Sequence, residues 1–119
     1  MKYGWTTISV KDLDASVAFY RDILHLPVTR RFAAGPGMEI TFLGEGNTQI
    51  ELIKYPGEPV AVGKGISLGF VVDSLDEALS LMAQKGIEIE SGPFEHNPRI
   101  KFFYILDPNK VRIQISQTL

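Results

Sequence analysis

Val10-Lys11-Asp12-Leu13-Asp14 opens an apolar-leaning run through Phe19-Tyr20, and 62 positions later the chain returns to the same phrase as Val72-Asp73-Ser74-Leu75-Asp76. Asn47-Thr48-Gln49-Ile50-Glu51-Leu52 likewise returns as Lys110-Val111-Arg112-Ile113-Gln114-Ile115, at an offset of 63. One residue of drift across half a chain marks a duplication, in which one supersecondary unit is used twice. The reading of one copy therefore constrains the other.

Upstream of the first phrase, Trp5 to Val10 alternates with Ile8 and Val10 on one face, the pattern of a half-buried strand. Asp12 is an N-cap candidate, and Val17, Tyr20 and Leu24 make a helical stripe that His25-Leu26-Pro27 ends. His25 stands near where the second copy has Gly86, and His tolerates a left-handed backbone better than most residues. Strands are predicted at 28–32, 39–43 and 49–53, divided by Ala34-Gly35-Pro36-Gly37 and Gly44-Glu45-Gly46-Asn47. In the second copy a strand at 66–72 precedes a helix capped by Ser74 with Glu77, striped by Leu75, Leu79 and Met82 and closed by Gly86. Strands at 87–89, 100–105 and 111–115 complete it, with Gly92-Pro93-Phe94-Glu95-His96-Asn97-Pro98 read as a loop. Each copy thus reads β-α-β-β-β. Tyr55-Pro56-Gly57-Glu58-Pro59 begins a joint inside one domain, 1–119, made of half-modules 1–56 and 64–119.

The chain's 119 residues, 45% of them hydrophobic, suit one globular core. A net charge of −2 and a pI near 5.6 leave no basic stripe for phosphates, which argues against a nucleic-acid partner and for a small molecule. With no cysteine there is no disulfide, thiolate ligand or thiol nucleophile. No signal core or bilayer-length apolar run is present, so the expected location is cytoplasmic, with no membrane partner.

The paired modules, Val10-Lys11-Asp12-Leu13-Asp14-Ala15-Ser16 leading into Phe19-Tyr20, and the Asp107-Pro108-Asn109 turn together resemble the vicinal oxygen chelate superfamily. That group includes glyoxalases, extradiol dioxygenases, and bleomycin- and fosfomycin-resistance proteins. The resemblance implies an α+β fold whose two tandem βαβββ modules form a curled, half-open mixed β-sheet barrel around a cavity, helices outside. It also implies a homodimer, since such half-barrels often pair. Phe94, Phe102 and Tyr104 are candidates for that interface or for the cavity wall.

In that family divalent-metal ligands come from the first and last strands of the modules. Matching the patterns puts Trp5 where many relatives carry a metal-binding His, with Ser67 as its counterpart and Glu51 and Gln114 at the last-strand positions. Zinc sites usually take three protein ligands, and non-haem iron takes two His and a carboxylate. Of these four only Glu51 is a strong ligand. Gln is an acceptable neutral oxygen donor, indole cannot coordinate, and Ser is weak. His25, at a helix end, and His96, in the predicted loop, do not supply the missing donors. The expectation is a degraded metal site and no cofactor, with zinc, nickel, manganese or iron as the alternative.

Strand parity puts Ile8, Val10, Ile50, Leu52, Leu68, Phe70, Val72, Ile113 and Ile115 on a helix-facing side. Trp5, Thr7, Ser9, Gln49, Glu51, Ser67, Gly69, Arg112, Gln114 and Ser116 lie opposite. From that second face, Trp5, Thr7, Gln49, Glu51, Ser67, Arg112 and Gln114 are the candidate ligand-binding residues, with Trp5 either stacking on a planar ligand or plugging the cavity. Glu51 is also the candidate catalytic residue: a metal ligand, a hydrogen-bond acceptor for a ligand, or a general base, with Arg112 as a possible ion-pair partner. Two functions stay open. One is a protein resembling the bleomycin-resistance branch, binding a small planar or amphipathic molecule. The other is an enzyme, a glyoxalase-like lyase or dioxygenase, using metal on Glu51 and Gln114.

Overall fold

A computed structural model describes residues 1–57 and 60–118, the His96 side chain excepted, so Glu58 and Pro59 of the predicted joint lie outside the described residues. The chain divides into two compact units, Met1–Ala61 and Val62–Leu119. The first comprises β1 (Trp5–Ser9), α1 (Leu13–Ala18), a π-helical turn (Phe19–Ile23), β2 (Val28–Gly35), β3 (Met38–Leu43) and β4 (Gln49–Lys54). Its sheet runs β1-β4-β3-β2, with β1 parallel to β4 and the other neighbours antiparallel. A parallel neighbour cannot be reached by a tight hairpin, so the chain must cross over between β1 and β4, and the helix rides on that crossover.

Asp12 caps α1 as its residue type predicts, its carboxylate accepting from the Ala15 N–H at 3.0 Å. After Ala18 the turn widens, with Leu24 N–H reaching back to Phe19 C=O at 3.2 Å. The extra residue in this π turn rotates the apolar stripe, so Phe19 and Tyr20 are both buried while Leu24 is only half-buried. His25 follows in the left-handed region at φ 60°, as Gly86 does at φ 69° in the second unit.

The second unit comprises β5 (Ser67–Val71), α2 (Leu75–Gln84), β6 (Ser91–Asn97), β7 (Ile100–Leu106) and β8 (Arg112–Thr118), and its sheet runs β5-β8-β7-β6 with β5 parallel to β8. Ser74 Oγ accepts from Glu77 N–H at 3.2 Å, and Gln117 of β8 accepts from Leu75 N–H at 2.6 Å, tying the helix start to the sheet. One expectation fails here: no strand forms at 87–89, and the segment predicted as a loop supplies β6 instead. β6 is an edge strand, where Pro93 removes no ladder bond that the sheet needs and register shifts flank Phe94. Gly92 fits the same place at φ 95°, where an added Cβ would meet Phe103 Cα at 3.1 Å and Phe102 O at 3.2 Å.

Each helix covers one face of its own sheet. In the first unit Ile8, Val10, Leu43 and Leu52 are buried there with Leu13, Val17 and Tyr20; in the second, Phe103, Ile105, Ile113 and Ile115 are buried with Leu75, Ala78 and Met82. Each such side chain contributes about 1.5–3 kcal/mol relative to exposure. Asp107 holds the β7–β8 hairpin, its buried carboxylate accepting from Asn109 N–H at 2.7 Å and Val111 N–H at 2.8 Å. That is what the Asp107-Pro108-Asn109 phrase does structurally. Among the described residues no helix is long and apolar enough to cross a membrane.

Two stability outcomes follow. Asp107→Ala leaves the buried Val111 N–H and the half-buried Asn109 N–H without their charged acceptor, lowering the unfolding free energy by about 2–3 kcal/mol in a urea titration. Thr41 is fully buried on the helix-covered face of β3, and its hydroxyl has no hydrogen-bond partner among the described residues. Thr41→Val removes that desolvated group at nearly constant shape, raising stability by about 1 kcal/mol in the same titration.

Candidate functional site

The face of the first sheet away from α1 is built by register. β1 and β4 align Trp5 with Gln49 and Thr7 with Glu51, and β3 brings Phe42 opposite Glu51 and Ile40 opposite Ile53. β2 then sets Arg30 beside Phe42 and Phe32 beside Ile40. Trp5 Nε1–H donates to Thr7 Oγ1 at 3.1 Å, and the Thr7 hydroxyl donates to Glu51 Oε1 at 2.7 Å. This relay fixes the indole and aims a half-buried carboxylate whose second oxygen has no donor among the described residues. Phe42, 3% exposed, is the floor. Trp5 meets it edge-on at 5.7 Å, Phe32 lies near-parallel to it at 6.5 Å, and the Arg30 guanidinium sits 4.3 Å from its centroid. Trp5 and Phe32 remain 53% and 41% exposed, an aromatic shelf open above a buried ring.

The second sheet repeats the design with different chemistry. Phe94, Phe102 and Tyr104 form the ring cluster, with Phe94–Phe102 at 5.6 Å and Phe102–Tyr104 at 5.7 Å. Arg112, reaching from β8, stacks 3.6 Å from the Tyr104 centroid. Where the first unit has Thr7 beside Glu51, the second has Gly69 beside Gln114, so the Gln114 amide turns to the Tyr104 hydroxyl at 2.9 Å. Phe102 is buried and Tyr104 half-buried, which removes Phe102 from the exposed interface candidates and leaves Phe94 exposed.

Arg112 has an ion-pair partner within its own unit. Its Nε donates to Glu90 at 3.3 Å and its outer nitrogen to Ser91 Oγ at 3.3 Å, while the Ser91 hydroxyl donates to Glu90 at 2.6 Å. The Ser91 hydroxyl above all, then Arg112, holds the Glu90 carboxyl below the usual glutamate range. Gln49 bonds back to Gly46 C=O of its own hairpin at 3.3 Å, and Ser67 stands exposed at the start of β5 in register with Arg112. Of the residues named from sequence, Trp5, Thr7 and Glu51 thus come together in the first unit, and Arg112 and Gln114 around Tyr104 in the second.

Three of the four positions named as metal-ligand candidates are hydrogen-bonded within their own units. Trp5 offers an N–H already donated to Thr7, one Glu51 oxygen accepts from Thr7, and the Gln114 nitrogen is committed to Tyr104. Among the described residues no group of three His, Cys, Asp or Glu side chains is gathered to hold an ion. The His96 side chain lies outside the described residues. Sequence reasoning missed Arg30, Phe32 and Phe42. Parity was projected only from the first and last strands of each copy, whereas 40–43 is buried on both faces and carries no alternation to read.

Thr7→Val cuts the relay without emptying the site. Because Trp5 is the chain's only tryptophan, the result reads directly as a red-shifted, less anisotropic emission with an unchanged far-UV spectrum. For Glu90, the lowered folded-state pKa means its stabilisation is full above the ordinary glutamate pKa and lost as pH falls through the lower value. Glu90→Gln is accordingly less stable than the parent at neutral pH and equal to it in acid, measured by thermal melts across pH.

Comparison with known proteins agrees with this architecture. The family described as the glyoxalase/bleomycin resistance protein/dioxygenase superfamily matches residues 2–115. A Synechocystis protein described as a probable lactoylglutathione lyase is 32% identical, over 95% of this chain and 92% of its own. Among solved structures, a glyoxalase family protein from Bacillus cereus has a TM-score of 0.84 at 19% identity, covering 100% of this chain and 95% of that one. TnmS3, an antibiotic binding protein from a Streptomyces species, has a TM-score of 0.78 at 17% identity, covering 100% and 97%. The duplicated βαβββ units and the match along nearly the whole chain place this protein in the glyoxalase/bleomycin resistance protein/dioxygenase superfamily.

Proposed function

We propose that the chain binds a small planar or amphipathic molecule without altering it, using the aromatic shelf of its first sheet. The observation that carries this reading is an exposed indole held rigid through Thr7 by Glu51 and backed by the buried Phe42 ring. A large aromatic fixed by its own N–H bond offers a flat contact at little entropic cost. The half-buried Glu51 adds one acceptor for a ligand hydroxyl or amine. Relatives of this fold include an antibiotic binding protein, so the architecture is compatible with binding alone.

A second reading, a metal-dependent lyase or dioxygenase with oxygen donors from Glu51 and Gln114, is favoured by the relative described as a probable lactoylglutathione lyase. In it the metal would supply Lewis-acid polarisation of substrate oxygens, and Glu51 would be its one anionic ligand. A homodimer belongs to either reading, and the strongly exposed Ile66 and Val71 offer apolar surface for one. Light scattering of the purified chain tests it.

Elemental analysis after titration with zinc, nickel, manganese and ferrous iron separates the two functions. The binding reading predicts no stoichiometric metal and saturable quenching of Trp5 emission by planar aromatic molecules in chelator-treated protein. Stoichiometric metal that disappears in Glu51→Ala would overturn it in favour of the lyase or dioxygenase reading.

A further inference from the structure

We infer that the shelf selects planar molecules bearing an anionic group, whose charge is taken by Arg30; this rests on the binding reading above and names its ligand class. Arg30 and Arg112 are both stacked on rings, the first 4.3 Å from Phe42 and 5.7 Å from Phe32, the second 3.6 Å from Tyr104. Stacking occupies the flat face of a guanidinium and leaves its edge, the fork of N–H donors, free to bind a planar oxyanion. In Arg112 that edge is satisfied by Glu90 and Ser91. In Arg30 it is open: Asp14 and Glu39 are taken by neighbouring Arg31, on the other face of the strand, and no carboxylate among the described residues reaches Arg30.

The open cation stands beside the two exposed rings that a planar molecule would touch, Phe32 and, across Phe42, Trp5. Glu51 flanks Phe42 on the opposite strand, so the Cα atoms of Glu51 and Arg30 are two strand spacings apart, roughly 10 Å. A carboxylate on the ligand is repelled at that end and attracted at Arg30. The face is therefore polar along its length, with the anion directed toward β2 and any donor toward β4. The second unit's ring-held arginine stands on a different strand, β8, and is neutralised by Glu90, which confines the anion preference to the first unit.

Two fluorescent probes of nearly the same ring system test this: anilinonaphthalene sulfonate, which is anionic, and neutral N-phenylnaphthylamine. The parent protein binds the sulfonate about tenfold more tightly than the neutral dye, the worth of one charge-assisted contact, and the margin shrinks with added salt. Arg30→Gln abolishes the margin, Arg30→Lys keeps part of it, and Arg21→Gln, which removes the same charge elsewhere, keeps all of it. Melting curves of the three variants verify that they fold. Equal binding of both dyes by the parent, or a margin that survives Arg30→Gln, overturns the anion preference alone. Binding of neither dye overturns the shelf as a binding surface, and the preference with it.

Discussion

In each copy of the repeat, the first strand lies parallel to the last while a helix covers one face of the resulting sheet. Strand alternation then decides everything displayed on the other face. Ile8 and Leu52 go under the helix, so Thr7 and Glu51 must emerge side by side; Phe103 and Ile115 go under, so Phe102 and Ser116 emerge together. A slip of one residue in that parallel pairing would exchange the core for the site. The buried helix-side residues therefore fix the geometry of Trp5, Thr7 and Glu51 more firmly than any contact those three make with one another.

Much of this was legible because it depends on local, periodic signals. Asp12 and Ser74 announce helix starts through the hydrogen bonds their side chains make, and His25 and Gly86 announce the matching ends through a backbone angle few residues accept. What escaped was non-local or non-periodic. Gly92 and Pro93 look like loop punctuation, yet an edge strand tolerates them because one side of it has no partner. The π turn after Ala18 shifts the stripe by a residue that no heptad-like count includes. Phe42 lies in a segment buried on both faces, and Arg30 reaches the site only through the β2–β3 register, which a bulge between Val28 and Arg30 has already shifted. The shelf was thus half visible: its β1 and β4 side came from the duplication, and its aromatic floor and its cation did not.

The duplication also shows how one framework diverges. Thr7 against Gly69, Glu51 against Gln114 and Gln49 against a paired Arg112 are changes at the site, while the helix caps and the parallel pairing persist. One sheet keeps an open cation and an aimed carboxylate on an exposed aromatic surface. The other turns the same kind of residues inward upon Tyr104. Specificity in such a scaffold is set by a few second-face residues that carry little of the folding energy, which is how one fold comes to serve lyases, oxygenases and binders alike.

The claim that the first sheet binds a planar molecule without a metal is tested most directly by heteronuclear NMR of chelator-treated protein titrated with anilinonaphthalene sulfonate. Trp5 supplies the single indole N–H resonance, a reporter seated in the hydrogen-bond relay itself. This resonance, with the amides of Thr7, Phe32 and Phe42, is expected to move saturably with ligand. An indole signal that stays still until a divalent metal is added, or shifts confined to the helices, would contradict it.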